Sequence, residues 1–320
     1  MRKIADLFFL IRPPLLCASF TFFFAGAASA VRHAGSGGHP GLLLAETLPG
    51  LLLFALIVSA AFVVNQIFDV ESDRLNRKAF LLASGVVSRR EALAVLIGLG
   101  AAAVGLSLAF DSGVKCLTIF GLALGLAYSV PPLRLKGRPV LDLVANVAGF
   151  GVIGFALGWL TYAGMTRELW LRCSPYALAM SGIFLNTCIP DEMGDRQSGD
   201  RTSCVVFGRR AVGTMILAFM VSSAVLGVLT GEMLCTLAVF GSLPAIIAVG
   251  VEPTSSGSVV ASQYAARLLL VLVCFRAPLL ALLCVAAYAG SRLYYRKRFG
   301  LRYPNLSGAV EIGPGAGSPR

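Results

Sequence analysis

Charge is scarce in this sequence. Only 13% of its 320 residues are charged, against 57% hydrophobic, where soluble domains carry about 25% charged residues. With a mean hydropathy of +0.81, the chain falls outside the soluble globular classes and reads as a polytopic membrane protein. Histidine is nearly missing: His33 and His39 share one glycine-rich loop. That argues against Ser/His or Cys/His nucleophilic chemistry. The eight cysteines are scattered within or beside apolar runs and form no Cys-x-x-Cys pair. They read as small buried apolar residues, neither disulfides nor zinc ligands. Long polar stretches are absent too, so no soluble domain interrupts the apolar segments.

What is present is a series of about nine apolar segments of spanning length or nearly so: Leu7–Ala30, Leu42–Phe68, Ala92–Phe110, Cys116–Val130, Leu141–Tyr162, Pro175–Ile189, Ala211–Leu229, Met233–Val251 and Leu268–Ala289. The expected fold is an all-α bundle over residues 1–300. The Gly-, Pro- and Ser-rich tail, 301–320, is expected to be disordered. Met1-Arg2-Lys3 with Ala28-Ser29-Ala30 resembles a signal peptide. The apolar run is too long for one, however, and contains Arg12-Pro13-Pro14, so it reads as the first span.

The formal net charge of +11 could suggest nucleic acid, but the cations sit in short loops between spans. Arg74, Arg77, Lys78, Arg89 and Arg90 follow the second segment. Arg134, Lys136 and Arg138 follow the fourth, and Arg196, Arg201, Arg209 and Arg210 the sixth. The odd-numbered loops are nearly bare. This alternation places the basic loops and the N-terminus on the cytoplasmic face. One feature resists: nine spans leave the C-terminus outside, yet Arg292, Arg296, Lys297 and Arg298 follow the last one. Either the orientation signal is overridden there, or the region from Val251 to Ala289 holds something other than one simple span.

The second apolar segment ends in Asn65-Gln66-Ile67-Phe68-Asp69-Val70-Glu71-Ser72-Asp73-Arg74. On a helix Asn65, Asp69 and Asp73 share a face, about 6 Å apart along the axis. Three hard oxygen donors on one stripe suit Mg²⁺. A solvated helix end is the plainer reading, but helix C-termini disfavour acids. The sixth segment ends in a copy, Asp191-x-x-x-Asp195-Arg196. Four spans separate the two motifs, an even number, so both open on one face. Carboxylates facing one another need counter-charge, which Mg²⁺ ions bridging a phosphorylated ligand would supply. Glu71, Glu192 and Asp200 are weaker candidates, and Glu71 and Glu192 sit off the main stripe. The loop Tyr128-Ser-Val-Pro-Pro-Leu-Arg134-Leu-Lys136-Gly-Arg138 is either a rigid turn with topology-setting cations or a lid over a diphosphate, with Lys136 and Arg134 as anion partners and Tyr128 as a donor. Arg12 and Arg276 are cations within apolar segments, where snorkelling is the plain reading. Asp142, Asn146 and Asn186 are polar groups placed to line the bundle interior.

These pieces resemble the UbiA superfamily of intramembrane prenyltransferases. The matching residues are Arg12-Pro13, Asn65-x-x-x-Asp69-x-x-x-Asp73, Tyr128-Ser-Val-Pro-Pro-Leu-Arg-Leu-Lys136, Asp191-x-x-x-Asp195, Gly199-Asp-Arg-Thr202 and Gly208-Arg-Arg. The resemblance implies a bundle around a central cavity, with Mg²⁺ at Asn65, Asp69, Asp73, Asp191 and Asp195. It also implies a prenyl diphosphate held by Lys136 and Tyr128. Arg12, Arg74, Arg134 and Arg196 are further expected diphosphate contacts, and Asn146 and Asn186 expected acceptor or cavity-lining residues. Val70 stands where 4-hydroxybenzoate prenyltransferases typically have Arg, and Lys78-Ala-Phe-Leu-Leu-Ala-Ser-Gly85 lacks the family's usual proline. Both point away from ubiquinone synthesis, while Asn65-Gln-Ile-Phe-Asp-Val-Glu71 and the Tyr128-Ser-Val-Pro-Pro132 loop look closer to the chlorophyll-synthase and homogentisate branch, which does not by itself name an acceptor.

The expected activity is Mg²⁺-assisted ionisation of an allylic diphosphate, with capture of the prenyl cation by an aromatic or lipid acceptor. The partners are then those two substrates and the bilayer, not nucleic acid. Two rivals remain. A lipid phosphotransferase would carry Asp-x-x-Asp-Gly-x-x-Ala-Arg, which is absent. A cation transporter would place its acids near the span midplane.

Overall fold

A computed structural model describes residues 2–34, 44–75, 80–304 and 311–312. Arg2–Leu10 (α1) turns at Arg12 into Pro13–His33 (α2). Leu44–Phe68 (α3) passes through Asp69 into Val70–Leu75 (α4), and Phe80–Ala83 (α5) is a single turn. Arg89–Ser107 (α6) and Ser112–Ser129 (α7) follow. Leu141–Asn146 (α8), a π-helical stretch Val147–Ile153 and Gly154–Leu160 (α9) form one rod. Arg167–Ser198 (α10), Ser203–Thr230 (α11), Met233–Val251 (α12), Ser255–Arg276 (α13) and Pro278–Phe299 (α14) complete the bundle.

Local signals place these elements. Ser88 and Glu91 form a reciprocal capping box at the start of α6. Asp111 caps α7 by accepting from the Val114 amide at 2.9 Å, and Thr254 caps α13 by accepting from the Gly257 amide at 3.0 Å. In α11 the chain kinks at Gly208, whose φ of 78° is open to glycine.

Packing between helices relies on close approach, because lipid offers no hydrophobic drive toward association. Helices α2 and α9 meet through Gly26 and Gly158. A Cβ on Gly26 would overlap the Phe155 carbonyl, and one on Gly158 the Phe23 carbonyl. Around that crossing lie the fully buried rings of Phe23, Phe54, Phe155, Trp159 and Tyr176.

Among the described residues, nine helices are long and apolar enough to cross a membrane. The 32-residue α10 is not among them, since the second aspartate motif lowers its hydropathy, but it too runs the length of the bundle. Its Tyr176 bonds Glu232 at one end, and its Asp195 bonds Thr202 at the other. The expected last segment, Leu268–Ala289, is corrected: it is two helices, α13 and α14, broken at Ala277-Pro278. This accounts for the misplaced cations. With α10 added to those nine, ten helices among the described residues run the length of the bundle, an even number, and α14 returns to the end that holds α1. There Tyr294 donates to Asp6 at 2.5 Å, Arg298 donates to Asp6 at 3.2 Å, and the Phe9 and Tyr294 rings stack at 3.9 Å.

Gly300 caps α14. In the tail expected to be disordered, Leu301–Arg302 pairs antiparallel with Glu311–Ile312; residues 305–310 and 313–320 lie outside the described residues.

Candidate active site

The first motif sits where α3 becomes α4. The Asp69 amide donates to the Asn65 carbonyl at 2.9 Å, and the Asp73 amide to the Asp69 carbonyl at 2.7 Å. Helical bonding thus runs through the break and keeps Asn65, Asp69 and Asp73 on one stripe. The second motif lies in the last turns of α10. That helix stops at Gly199, whose φ of 80° makes the left-handed cap, and Thr202 Oγ1 donates back to Asp195 Oδ2 at 3.1 Å.

The basic loop follows α7. Its short 3₁₀ turn, Leu135–Gly137, carries Lys136. On either side Arg134 (φ 35°) and Val140 (φ 68°) take left-handed backbone without being glycine. Each such residue costs about 1–3 kcal/mol and persists only where its surroundings over-determine it. The Lys136 ammonium reaches across to donate to Asp69 Oδ1. Arg12, left-handed at the α1–α2 joint (φ 54°), lies 3.5 Å from Asp73 Oδ2. The joint is held by Gln66, whose Nε2 donates to the Leu10 carbonyl at 2.8 Å.

These groups share one cavity of about 340 Å³. Asn65, Asp69 and Asp73 of the first motif, Asp191 and Asp195 of the second, and Arg12, Tyr128 and Lys136 all line it. A second, mainly apolar cavity of about 220 Å³ adjoins it and shares Arg12, Asn65 and Tyr128. Its walls include Ile57, Phe62, Phe150 and Ile153. Two of these come from the π-helical stretch, an irregularity that often marks functional sites. Asn146 lies in this second cavity, and its Nδ2 donates to the Tyr128 hydroxyl at 3.0 Å.

Other expected contacts are not brought to either cavity. Arg134 turns to Asp200 Oδ2 at 3.1 Å. Arg196 bonds Glu192 at 3.2 Å with 65% of its side chain exposed. Asn186 is buried and donates to the Gly182 carbonyl at 3.1 Å. The Arg74 side chain lies outside the described residues. Asp142 and Asp200 do border the carboxylate cavity. Sequence reasoning missed Gln66, the direct bond from Thr202, and Glu232. Glu232 carried a signal: it is the one charged residue between α11 and α12, on a side of the bundle that holds few charges.

Among the described residues no three Asp, Glu, His or Cys side chains converge on one metal position. Mg²⁺ is usually held by one or two carboxylates, with substrate phosphates and water completing its octahedron. Two motifs of two aspartates each, facing one cavity, fit that donor set.

Fold and site together define an integral, multi-pass membrane protein with a carboxylate-lined cavity at one end of a helical bundle. The sequence profile of the UbiA prenyltransferase family matches residues 19–256. The chain belongs to that family. It is 29% identical over 185 residues to a probable homogentisate phytyltransferase 2 of Oryza sativa subsp. japonica, covering 54% of this chain and 48% of that protein. The chain thus matches about half the length of that relative. It is 27% identical over 225 residues to the bacteriochlorophyll synthase 34 kDa chain of Chloroflexus aurantiacus, covering 69% and 70%. Its fold is similar to that of a UbiA homologue from Archaeoglobus fulgidus bound to GPP and Mg²⁺, with a TM-score of 0.63, 19% identity, and 89% and 100% of the two chains covered.

Proposed function

We propose that this protein transfers a prenyl group from an allylic prenyl diphosphate to an aromatic or lipid acceptor, with Mg²⁺ and release of diphosphate. One observation carries the reading: the cavity holding both aspartate motifs and Lys136 adjoins an apolar cavity through Arg12, Asn65 and Tyr128. An anionic headgroup and an apolar chain need that pair of environments side by side. The family and the GPP- and Mg²⁺-bound homologue support it.

In this reading Asp69, Asp73, Asp191 and Asp195, with Asn65, would hold Mg²⁺, and the bound metal would supply positive charge to the diphosphate leaving group. Lys136 and Arg12 exchange their aspartate partners for phosphate oxygens. Their charge then acts where negative charge develops as the allylic C–O bond breaks. Tyr128, oriented by Asn146, borders both cavities and offers its hydroxyl at the boundary between headgroup and chain. Phe62 and Phe150 help to exclude water, which would otherwise capture the cation. The acceptor supplies the electron pair of the new bond, so no protein nucleophile is required. The motifs open on the cytoplasmic face, as the loop charges argue.

The test is pyrophosphate release from prenyl diphosphates in membranes holding the protein, with and without Mg²⁺, against a panel of phenolic, chlorophyllide-like and glycerol-lipid acceptors. Release is expected to need both the metal and an acceptor. A membrane that releases none with any pair, yet moves Mg²⁺ across, overturns the reading in favour of transport.

A further inference from the structure

We infer that Asp142 and Ser203 are positioning residues, which clasp the Lys136 loop to the segment after the second aspartate motif and so aim the lysine across the cavity. The inference rests on the prenyl-transfer reading.

Asp142 is one of two carboxylates, with Asp200, that border the cavity and that the mechanism leaves unused. Both of its oxygens are already committed. Oδ1 accepts from the Ser203 hydroxyl at 2.6 Å and from the Leu143 amide at 2.7 Å, and Oδ2 accepts from the Ser203 amide at 2.8 Å. Asp142 and Ser203 are 1% and 0% exposed. A buried carboxylate satisfied in this way is a poor metal ligand and a good anchor.

Ser203 carries the anchor onward. Its Oγ accepts from the Val140 amide at 2.9 Å, and Val140 is one of the two left-handed residues that flank Lys136. The residues just before Ser203 continue the attachment. Asp200 holds Arg134 at 3.1 Å, the other left-handed residue, and the Arg201 amide donates to the Gly137 carbonyl at 3.2 Å. Thr202 faces the opposite way, to Asp195. Residues 200–203 therefore tie the second motif to the loop at three points around Lys136. Only the lysine side chain is left to cross to the first motif. A lysine stem loses much rotamer freedom when fixed, so its charge stays over the cavity only if the backbone beneath it is immobile.

The experiment compares Ser203→Ala, Asp142→Asn and Ser203→Thr with Lys136→Met, at matched protein levels. Lys136→Met is expected to slow turnover at saturating prenyl diphosphate by about ten- to a hundred-fold, the range of a charge-assisted contact. Ser203→Ala is expected to slow it by about ten-fold, with KM for the acceptor unchanged. Asp142→Asn should fall between wild type and Ser203→Ala, and Ser203→Thr should restore the rate. In the Lys136→Met background Ser203→Ala should cost nothing further, since both act through one ammonium group. A multiplicative double loss would instead mean general structural damage and overturn the inference.

A second readout needs no activity. Trypsin added to the membranes should cut after Arg134, Lys136 or Arg138 several-fold faster in Ser203→Ala and in Asp142→Asn than in wild type. Equal cutting in both variants removes the clasp. If the clasp loosens but Lys136→Met transfers at the wild-type rate, the lysine's role in the proposed reaction fails, and with it the positioning inference.

Discussion

The two ends of the bundle hold the same chemical pairing in opposite settings. At the end away from the aspartates, Glu232 is wholly buried. It accepts from Ser29 at 2.6 Å, Arg32 at 2.6 Å, Arg172 at 3.1 Å and Tyr176 at 3.2 Å. Partners from α2 and α10 close on it, and it is the residue just before α12. At the aspartate end, Asp69 and Asp73 also face cations, Lys136 and Arg12, but these groups line a cavity and can exchange partners with a ligand. A carboxylate enclosed by donors acts as a staple. One whose cation stands at the wall of an open space is available for chemistry. Carboxylate–cation pairing alone, read from sequence or from structure, does not separate these cases; the space beside the pair does.

The largest expected effect breaks the comparison at the open end. Asp69→Asn or Asp191→Asn should reduce prenyl transfer to background while expression and membrane insertion stay normal. Measured transfer near the wild-type rate in both variants would remove these residues from the mechanism. Next comes the closed end. Glu232→Gln leaves Arg32 and Arg172 short of a full negative charge, and breaking a buried pair costs about 3–5 kcal/mol. Arg32 keeps about a third of its side chain exposed, which puts the expected loss near ~3 kcal/mol. Unfolding in detergent should show it, with transfer per folded molecule unchanged. An unaltered unfolding midpoint together with lost activity would mean that the two ends are not distinct in role.

Much of the site was legible because its signal is periodic. Asn65, Asp69 and Asp73 repeat every four residues, and a helical path through Asp69 is enough to align them. The alternation of loop cations puts both motifs at one end of the bundle, and there they line one cavity. The helices at the C-terminal side were harder to read. Leu268–Ala289 is apolar across the break, so hydropathy merges two helices, and Pro278 was the one mark of the division. The first half of α13, Ser255 to Arg267, reads as loop in a scale built on transfer from water. In the bundle its Ser258, Ala261, Ser262 and Ala265 are buried, as small residues are at helix crossings in lipid. Helix α10 looked shorter than it is, because Pro175 and Pro190 read as breakers yet lie inside it. Charge alone points Arg134 and Arg196 to the diphosphate, while Asp200 and Glu192 pair with them and neither arginine lines the two cavities. Ser203 gave no signal of its own, since it acts through a contact with Asp142, 61 residues away in the chain.

The smallest expected effect has no energetic cost and tests whether the two ends face opposite sides of the membrane. In a background cleared of the eight native cysteines, single cysteines report the side by labelling with an impermeant maleimide. Ser84, Gly137 and Gly199 lie at the aspartate end, and Met165 and Arg276 at the Glu232 end. If α13 and α14 are separate crossings, Gly300 belongs with the first group. Intact cells should label Met165→Cys and Arg276→Cys at once, and Ser84→Cys, Gly137→Cys, Gly199→Cys and Gly300→Cys only after permeabilisation. Two failures carry different meanings. If Gly137 and Gly199 label from opposite sides, the two motifs cannot share a cavity and the proposed reaction falls with them. If only Gly300 moves to the Arg276 side, the cavity survives. What then fails is the even count of crossings, and with it the contact of Asp6 with Tyr294 and Arg298 that brings the end of α14 back to the first helix.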